Sequence, residues 1–158
     1  MTTQLITDWS AHDQAFSDML GRASRQIDVF DLDLARLPFE RKEYAETLRR
    51  FLANREDACL RIILRDAAPF RTDSPRLMQL LATYAHKMSV TQCAEQLASL
   101  SDSMLLIDND HALIRFHQDN VRSKRIDNDP DECRPYQLRF AEIAKEHSDP
   151  VSATTLGL

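Results

Sequence analysis

The apolar residues of this chain alternate between two periods, and this alternation restricts its possible folds more than any other feature. Segments spaced as amphipathic helices are separated by short, β-branched apolar runs that are typical of buried strands. The order strand, helix, strand, helix, strand and then a hairpin predicts an α/β fold built in layers. We expect a mixed sheet covered by helices, with its first strands parallel, and a C-terminal β-hairpin followed by a helix.

The spacing of the apolar residues also sets approximate bounds for the elements. In chain order the sequence predicts a helix from about Trp9 to Arg25, a strand Ile27–Leu34, a helix containing Tyr44 and Phe51, a strand Leu60–Leu64, a helix opened by Ser74 and Pro75, a strand Met88–Gln92, a short helix or turn over Ala94–Leu100, a hairpin of Ser103–Ile107 and Ala112–Phe116, a polar loop Gln118–Pro135, and a helix containing Tyr136 and Phe140. Asp8 or Ser10 is expected to cap the first helix and Ser74 the third, because these side chains accept hydrogen bonds from free backbone N–H groups.

The length of 158 residues suits one domain. We expect a single domain over residues 1–158, with its core at about 6–147 and a short tail at 148–158. The chain has only two glycines, so the glycine-rich loops that hold phosphates in many nucleotide-binding proteins are missing from the sequence. No apolar run approaches the ~20 residues of a membrane span, and the N-terminus has no secretory pattern. We therefore expect a cytoplasmic protein.

Charge and cysteine content narrow the classes of partner. The net charge of −5 opposes nucleic-acid binding, which depends on neutralising phosphates. The basic run at 121–125 (VRSKR) is followed at once by acidic residues that can pair with it. The three cysteines are widely spaced, which indicates neither a disulfide framework nor a zinc site. Cys59 is expected in the core and Cys133 in a polar loop. The sequence predicts no metal and no cofactor.

Two groups of polar residues near strand ends are candidates for function. Asp31 and Asp33 lie in or just past the first predicted strand, toward its carboxyl end, where α/β proteins often place functional groups. They can also simply cap the following segment. Alternation places His111, Arg115 and His117 on one face of the last predicted strand. That face is either an anion-binding surface or a solvated outer face.

The segment Ser101–Asp119 resembles one half of a phospholipase D superfamily member. The signature of that family is His-x-Lys, four residues, Asp, six residues, Gly-Ser, two residues and Asn. We align Asp108 with the family aspartate. At the other signature positions this chain then has Ser101 in place of histidine, Ser103 in place of lysine, Arg115 in place of glycine, Phe116 in place of serine and Asp119 in place of asparagine. From about Ile6 to His147 the chain is similar in length to one such half-domain. It is also similar to uncharacterised proteobacterial domains with a degenerate phospholipase D-like fold, some of which accompany N-acetyltransferase domains.

The resemblance implies the fold without the family reaction. In the family, one histidine attacks phosphorus, a histidine of the other half protonates the leaving oxygen, and lysines hold the phosphoryl oxygens. A serine hydroxyl without an adjacent base cannot replace that nucleophile, and Ser103 carries no charge for the phosphoryl group. We therefore expect a ligand-binding or protein-interaction module with no catalytic residue. One alternative is an accessory subunit of an N-acetyltransferase. Another is a hydrolase or phosphodiesterase reusing the cleft, with these acid–base candidates: Asp31, Asp33, Asp108, His111 and His117.

The predicted site is a place for a small anionic ligand. Its candidate residues are Ser101, Ser103, Asp108, Arg115 and His117. Arg115 either binds the anion with its fork of donors, or pairs internally with Asp108 or Asp119 and closes the former site. The resemblance also implies a partner: a second copy, because active halves pair across the motif face, or an N-acetyltransferase.

Overall fold

The computed structural model describes residues 2–146 and 148–153, which contain five α-helices and one eight-stranded mixed sheet. The strands are β1 (Thr2–Ile6), β2 (Gln26–Asp31), β3 (Cys59–Leu64), β4 (Met88–Gln92), β5 (Ser103–Ile107), β6 (His111–Arg115), β7 (Ser123–Asp127) and β8 (Asp149–Pro150). The helices are α1 (Trp9–Arg22), α2 (Lys42–Asn54), α3 (Ala68–Asp73), α4 (Pro75–Thr83) and α5 (Pro130–Lys145), and a 3₁₀ turn spans Glu95–Leu97. The predicted α/β fold is confirmed.

The strands lie in the order β1-β7-β6-β5-β2-β3-β4-β8. β2, β3 and β4 run parallel, as predicted, and the remaining pairs are antiparallel. β5 therefore begins at the edge of the sheet where β2 ends. β6 ends at this edge too, because β5 and β6 form the predicted hairpin, with Ser103 opposite Arg115.

Apolar side chains cover both faces of the sheet. Successive strand residues point to opposite faces, so Val29 joins a cluster with α1, α2 and α4, and Phe30 joins a second cluster with α5. Phe16 of α1 and Phe140 of α5 are buried in the first and second cluster respectively. The same alternation decides on which face each polar side chain at the strand ends lies.

The bounds of α1 are set by two carboxylates. Asp8 caps the helix as predicted, since its Oδ1 accepts a hydrogen bond from the backbone N of Ala11 at 2.8 Å. The helix ends at Arg22, earlier than predicted. The carboxylate of Asp108 accepts hydrogen bonds from the backbone N–H groups of residues 24–26. These bonds draw that segment out of the helix and into the start of β2.

The predicted start of α4 is confirmed, but its predicted cap is wrong. Within the described residues, the side chain of Ser74 makes no capping hydrogen bond. The carboxylate of Glu40 instead accepts hydrogen bonds from the backbone N–H groups of Arg76 and Leu77, both at 3.0 Å. A cap supplied by a distant loop leaves no local signal in the sequence.

The sequence pattern does not predict β1 or β7. β7 lies within the segment predicted as the polar loop Gln118–Pro135, and α5 begins there as well. On the side of β7 that faces α1, ion pairs replace apolar contacts. Arg125 contacts Asp18 of α1 and also Asp127. A strand that packs through charged side chains lacks the alternating apolar residues by which strands are predicted.

The expectations for the C-terminal tail, Cys133 and Cys59 need correction. Residues 149–151, expected in a tail, pair with β4, and Val151 is buried. His147 lies outside the described residues. Cys133 is buried in α5, where burial raises the pKa of its thiol to about 12. Cys59 is only partly buried.

Among the described helices, none is long and apolar enough to cross a membrane.

Candidate functional site

Polar side chains gather at the sheet edge where β2 and β6 end and β5 and β7 begin. Asp31 is the last residue of β2 and Arg115 the last residue of β6. Ser103 of β5 and Ser123 of β7 lie opposite Arg115 on its two sides. All four residues are buried. By strand alternation, these side chains lie on the face that packs against α1.

Asp31 and Arg115 form a buried ion pair at this edge. Nη2 of Arg115 lies 3.3 Å from Oδ1 of Asp31, and the two side chains are 3% and 1% exposed. Oδ2 of Asp31 accepts hydrogen bonds from the backbone N–H groups of Asp33 and Leu34. The chain turns here through Leu34, which has a φ of 71°. Asp31 thus caps the segment after β2, which was one of the two roles predicted for it, and it also pairs with Arg115.

An aromatic ring covers the guanidinium of Arg115. The indole of Trp9 lies 5.7 Å from Cζ of Arg115 and 4.1 Å from Cζ of Arg36, so it sits beside two cations. Burial lowers the pKa of Arg115, and the carboxylate of Asp31 opposes this shift. Nε and Nη1 of Arg115 have no hydrogen-bond partner among the described residues.

His12 of α1 is the second buried titratable group on this face. Its side chain is 1% exposed, and its ring meets that of Trp9 edge-on at 5.3 Å. Nδ1 lies 3.9 Å from Oδ1 of Asp13, which is too long for a hydrogen bond. Burial, followed by the charge of Arg115, lowers the pKa of His12 to about 4. The imidazole is therefore neutral at pH 7. No sequence motif connects His12 with this edge, because a histidine at a helix position is expected to pack or to face solvent.

Arg65, directly after β3, fixes the segment that leads into β5. Nη1 donates to the backbone O of Asp102 at 2.6 Å, and Nη2 donates to Oε1 of Gln118 at 2.7 Å. The backbone N of Gln118 in turn donates to the backbone O of Ser101 at 2.6 Å. Cζ of Arg65 lies 4.9 Å from the ring of Phe30, on the face that packs against α5. No sequence motif indicated this residue.

The structure brings together only part of the predicted site. Ser103 and Arg115 are cross-strand neighbours, and Ser101 lies in the segment just before β5. Asp108 lies at the opposite end of the hairpin, in the turn between β5 and β6. Burial alone would raise the pKa of Asp108, but hydrogen bonds from the backbone of residues 24–26 outweigh this effect and lower it. His117 follows β6, and its side chain is 52% exposed.

Two expectations about β6 are wrong. Arg115 pairs with Asp31, and neither Asp108 nor Asp119 is its partner. The face that carries Arg115 is also not a solvated outer face, because Leu113 on the same face belongs to the core. His111 lies at the other end of the strand, where its Nδ1 accepts a hydrogen bond from a backbone N–H.

The basic run around β7 is paired internally, as its acidic neighbours indicated. Nζ of Lys124 lies 2.6 Å from Oε1 of Glu132, and Nε of Arg125 lies 2.9 Å from Oδ2 of Asp127. In the described part of the chain, no cluster of three or more histidine, cysteine or acidic residues could hold a metal ion.

The sequence matches a known family. A family model described as a domain of unknown function, DUF7931, matches residues 8–153. No curated protein matches the sequence.

The fold is similar to that of several solved structures at low sequence identity. Nuc, a phospholipase D family member from Salmonella typhimurium, has a TM-score of 0.63 at 12% identity, covering 96% of this chain and 98% of Nuc. NucT from Helicobacter pylori has a TM-score of 0.62 at 9% identity, covering 95% and 99%. TrmBL2, an archaeal chromatin protein with a novel mode of DNA binding, has a TM-score of 0.69 at 12% identity. That match covers 96% of this chain, which spans only 55% of TrmBL2. The likeness establishes a phospholipase D-like fold.

Proposed function

This chain belongs to the DUF7931 family of domains of unknown function, and we propose that it is a non-catalytic binding module on a phospholipase D-like fold. The observation that carries the proposal is the buried ion pair of Asp31 and Arg115. In the alignment with the family signature, Arg115 stands where the family has glycine. A long cationic side chain then fills the space that glycine would leave open beside the sheet for a substrate phosphate.

The chemistry of the neighbouring groups supports this proposal. Ser101 and Ser103 stand at the positions of the family histidine and lysine, so a nucleophile would have to be a hydroxyl. A hydroxyl needs a general base whose pKa lies near the working pH. His12, with a pKa of about 4, is a poor base at neutral pH.

The alternative acid–base groups are engaged in holding the backbone. Asp31 accepts two backbone N–H hydrogen bonds besides its pair with Arg115. Oδ1 of Asp33 accepts a hydrogen bond from the backbone N of Ala35. Asp108 is bound to residues 24–26 at the other end of the hairpin. These contacts favour binding over proton transfer as the role of the edge.

Hydrolysis of bis(4-nitrophenyl) phosphate tests the proposal. We expect the purified protein, with and without added divalent metal ions, to show the same background rate as Ser103→Ala and Arg115→Gln. Arg49→Ala, on the outer face of α2, is the matched control for preparation and stability. A rate above background that Ser103→Ala or Arg115→Gln abolishes, and Arg49→Ala retains, would overturn the non-catalytic assignment.

We propose a second copy of the chain as the protein partner. Phe116, directly after Arg115, is 45% exposed although it is a large apolar residue, and His117 beside it is also exposed. By the resemblance, halves of phospholipase D superfamily members pair across the face that carries the signature motif. An N-acetyltransferase is the alternative partner. Light scattering should give twice the chain mass of 18.2 kDa. A single species of one chain mass at tens of micromolar would contradict the homodimer.

A further inference from the structure

Helix α5 carries an apolar side chain on the side that faces away from the sheet. Leu138 is 62% exposed, more than any other large apolar residue in the described part of the chain. It lies two positions before Phe140, which is buried in the second cluster. A helix turns by about 100° per residue, so the two side chains point to nearly opposite sides. Pro135 and Ala141, one turn before and after Leu138, are exposed as well.

Four charged side chains flank Leu138 at matched spacings along the helix. Asp131 and Lys145 lie seven positions before and after it, and Arg134 and Glu142 lie four positions before and after it. All four side chains are at least 69% exposed. Along the chain their signs run negative, positive, then negative, positive. We call these four residues, together with Pro135, Leu138 and Ala141, the outer stripe of α5.

The order of these charges makes the outer stripe complementary to itself in one orientation. If two copies of α5 lie antiparallel about a two-fold axis at Leu138, Asp131 comes opposite Lys145 of the other copy. Arg134 then comes opposite Glu142 of the other copy, and each pair occurs twice. In a parallel arrangement every charge would lie opposite its own counterpart, and like charges across an interface are unfavourable.

The spacing of the outer stripe also suits packing between helices. Positions 131, 134, 138, 141 and 145 are separated alternately by three and four residues, which is the spacing of helices that pack side by side. The helix is held firmly on its own sheet, because Nη2 and Nε of Arg139 donate to the two carboxylate oxygens of Asp102 at 2.8 and 3.0 Å. The outer stripe is therefore presented on a fixed helix of 16 residues, which is about 24 Å long.

We propose that α5 packs antiparallel against α5 of a second copy of this chain, with Leu138 on the two-fold axis. A two-fold interface uses the same surface on both subunits, which is the property that the charge order of the outer stripe has. This inference rests on the proposed function, because it names the surface through which the second copy binds. The surface lies on α5 and does not include the ion pair of Asp31 and Arg115.

Sedimentation equilibrium of the whole chain between about 1 and about 100 μM tests the proposal. We expect Leu138→Glu to weaken the dimer by at least about tenfold, because it places two carboxylates against each other at the centre of the helix pair. Leu5→Glu makes the same change at another exposed leucine, on β1, and should dimerise like wild type. Far-UV circular dichroism checks that both variants keep their helix content.

A pair of charge variants tests the antiparallel pairing itself. Asp131→Lys with Glu142→Lys makes all four charges of the outer stripe positive, and Arg134→Glu with Lys145→Glu makes all four negative. Each double variant alone should dimerise at least about tenfold more weakly than wild type, because like charges then meet. An equimolar mixture of the two should form a heterodimer, since every charge again has an opposite partner.

The outcomes separate this inference from the proposed function. A Leu138→Glu variant that dimerises like wild type, or a mixture of the charge variants that stays monomeric, would overturn the pairing of α5. A dimer that Phe116→Glu breaks and Leu138→Glu spares would overturn it too, but would retain the proposed homodimer. Wild-type protein that is monomeric at tens of micromolar would contradict both. Diester hydrolysis is measured separately and decides only the non-catalytic assignment.

Discussion

Nη2 of Arg115 lies 3.3 Å from Oδ1 of Asp31, although the two residues are 84 positions apart in the sequence. The contact links the end of β6 to the end of β2, across the start of β5. Asp31 is fixed by the backbone of the following turn, and Trp9 lies over the arginine. The polar edge of the sheet is therefore organised around one buried ion pair.

Removing the cation of this pair should be costly. Arg115→Ala leaves the carboxylate of Asp31 buried without its partner, and we expect a loss of about 3–5 kcal/mol in the free energy of unfolding. Arg49→Ala, which breaks an exposed pair with Glu46, should change stability far less, because water screens an exposed pair. Urea denaturation at neutral pH measures both. Equal losses in the two variants would show that Arg115 does not compensate Asp31.

Stability should fall in mild acid because of His12. Its pKa is about 4 in the folded protein and 6.5 as the ordinary value, so between these values the unfolded chain binds more protons. The free energy of unfolding should therefore drop as pH falls from 7 to 4, by about 3 kcal/mol from this residue. His12→Gln should remove this part of the slope, whereas His86→Gln, at an exposed position, should retain it. A slope unchanged in His12→Gln would show that His12 titrates normally.

Asp108 should matter for stability. Its carboxylate accepts backbone hydrogen bonds from residues 24–26 and one from the hydroxyl of Ser24, so Asp108→Ala should cost about 2–3 kcal/mol. Asp108→Asn keeps part of these contacts and should cost less. Because its pKa is lowered in the folded protein, this stabilisation is lost as pH falls below the ordinary aspartate range. Asp119→Ala, at a side chain 78% exposed, is the control, and an equal loss there would contradict the prediction.

Substitution can show whether the carboxylate of Glu40 or the hydroxyl of Ser74 caps α4. Glu40→Ala removes the acceptor for the N–H groups of Arg76 and Leu77 and should cost about 1 kcal/mol. Ser74→Ala removes a hydroxyl without a capping bond and should cost less. The midpoint of thermal unfolding orders the two variants, and a larger shift for Ser74→Ala would be the wrong order.

The sequence predicts the elements that pack through apolar side chains and misses those that pack through charged side chains. The helical spacing around Phe16 and Phe51 and the apolar run Leu60–Leu64 correspond to α1, α2 and β3. β7 is missed because Arg125 and Asp127 pack through ion pairs. Their place in a strand cannot be predicted without the position of α1, which supplies a partner for Arg125.

The site is less predictable than the fold for the same physical reason. Ser103 and Arg115 follow from the predicted hairpin, since the pairing of its strands places them opposite each other. Asp31, Arg65 and His12 come from three distant parts of the chain, and only the folded sheet brings them near Arg115. The sequence indicated that Asp31 lies in or near a strand but could not indicate its partner 84 positions away.

A crystal structure of the protein would test the account most directly, because it shows whether Arg115 and Asp31 meet inside the fold. The account predicts the buried pair of Asp31 and Arg115 under the indole of Trp9, with the arginine filling the space beside the sheet. An open cleft in which Arg115 points to solvent would contradict it.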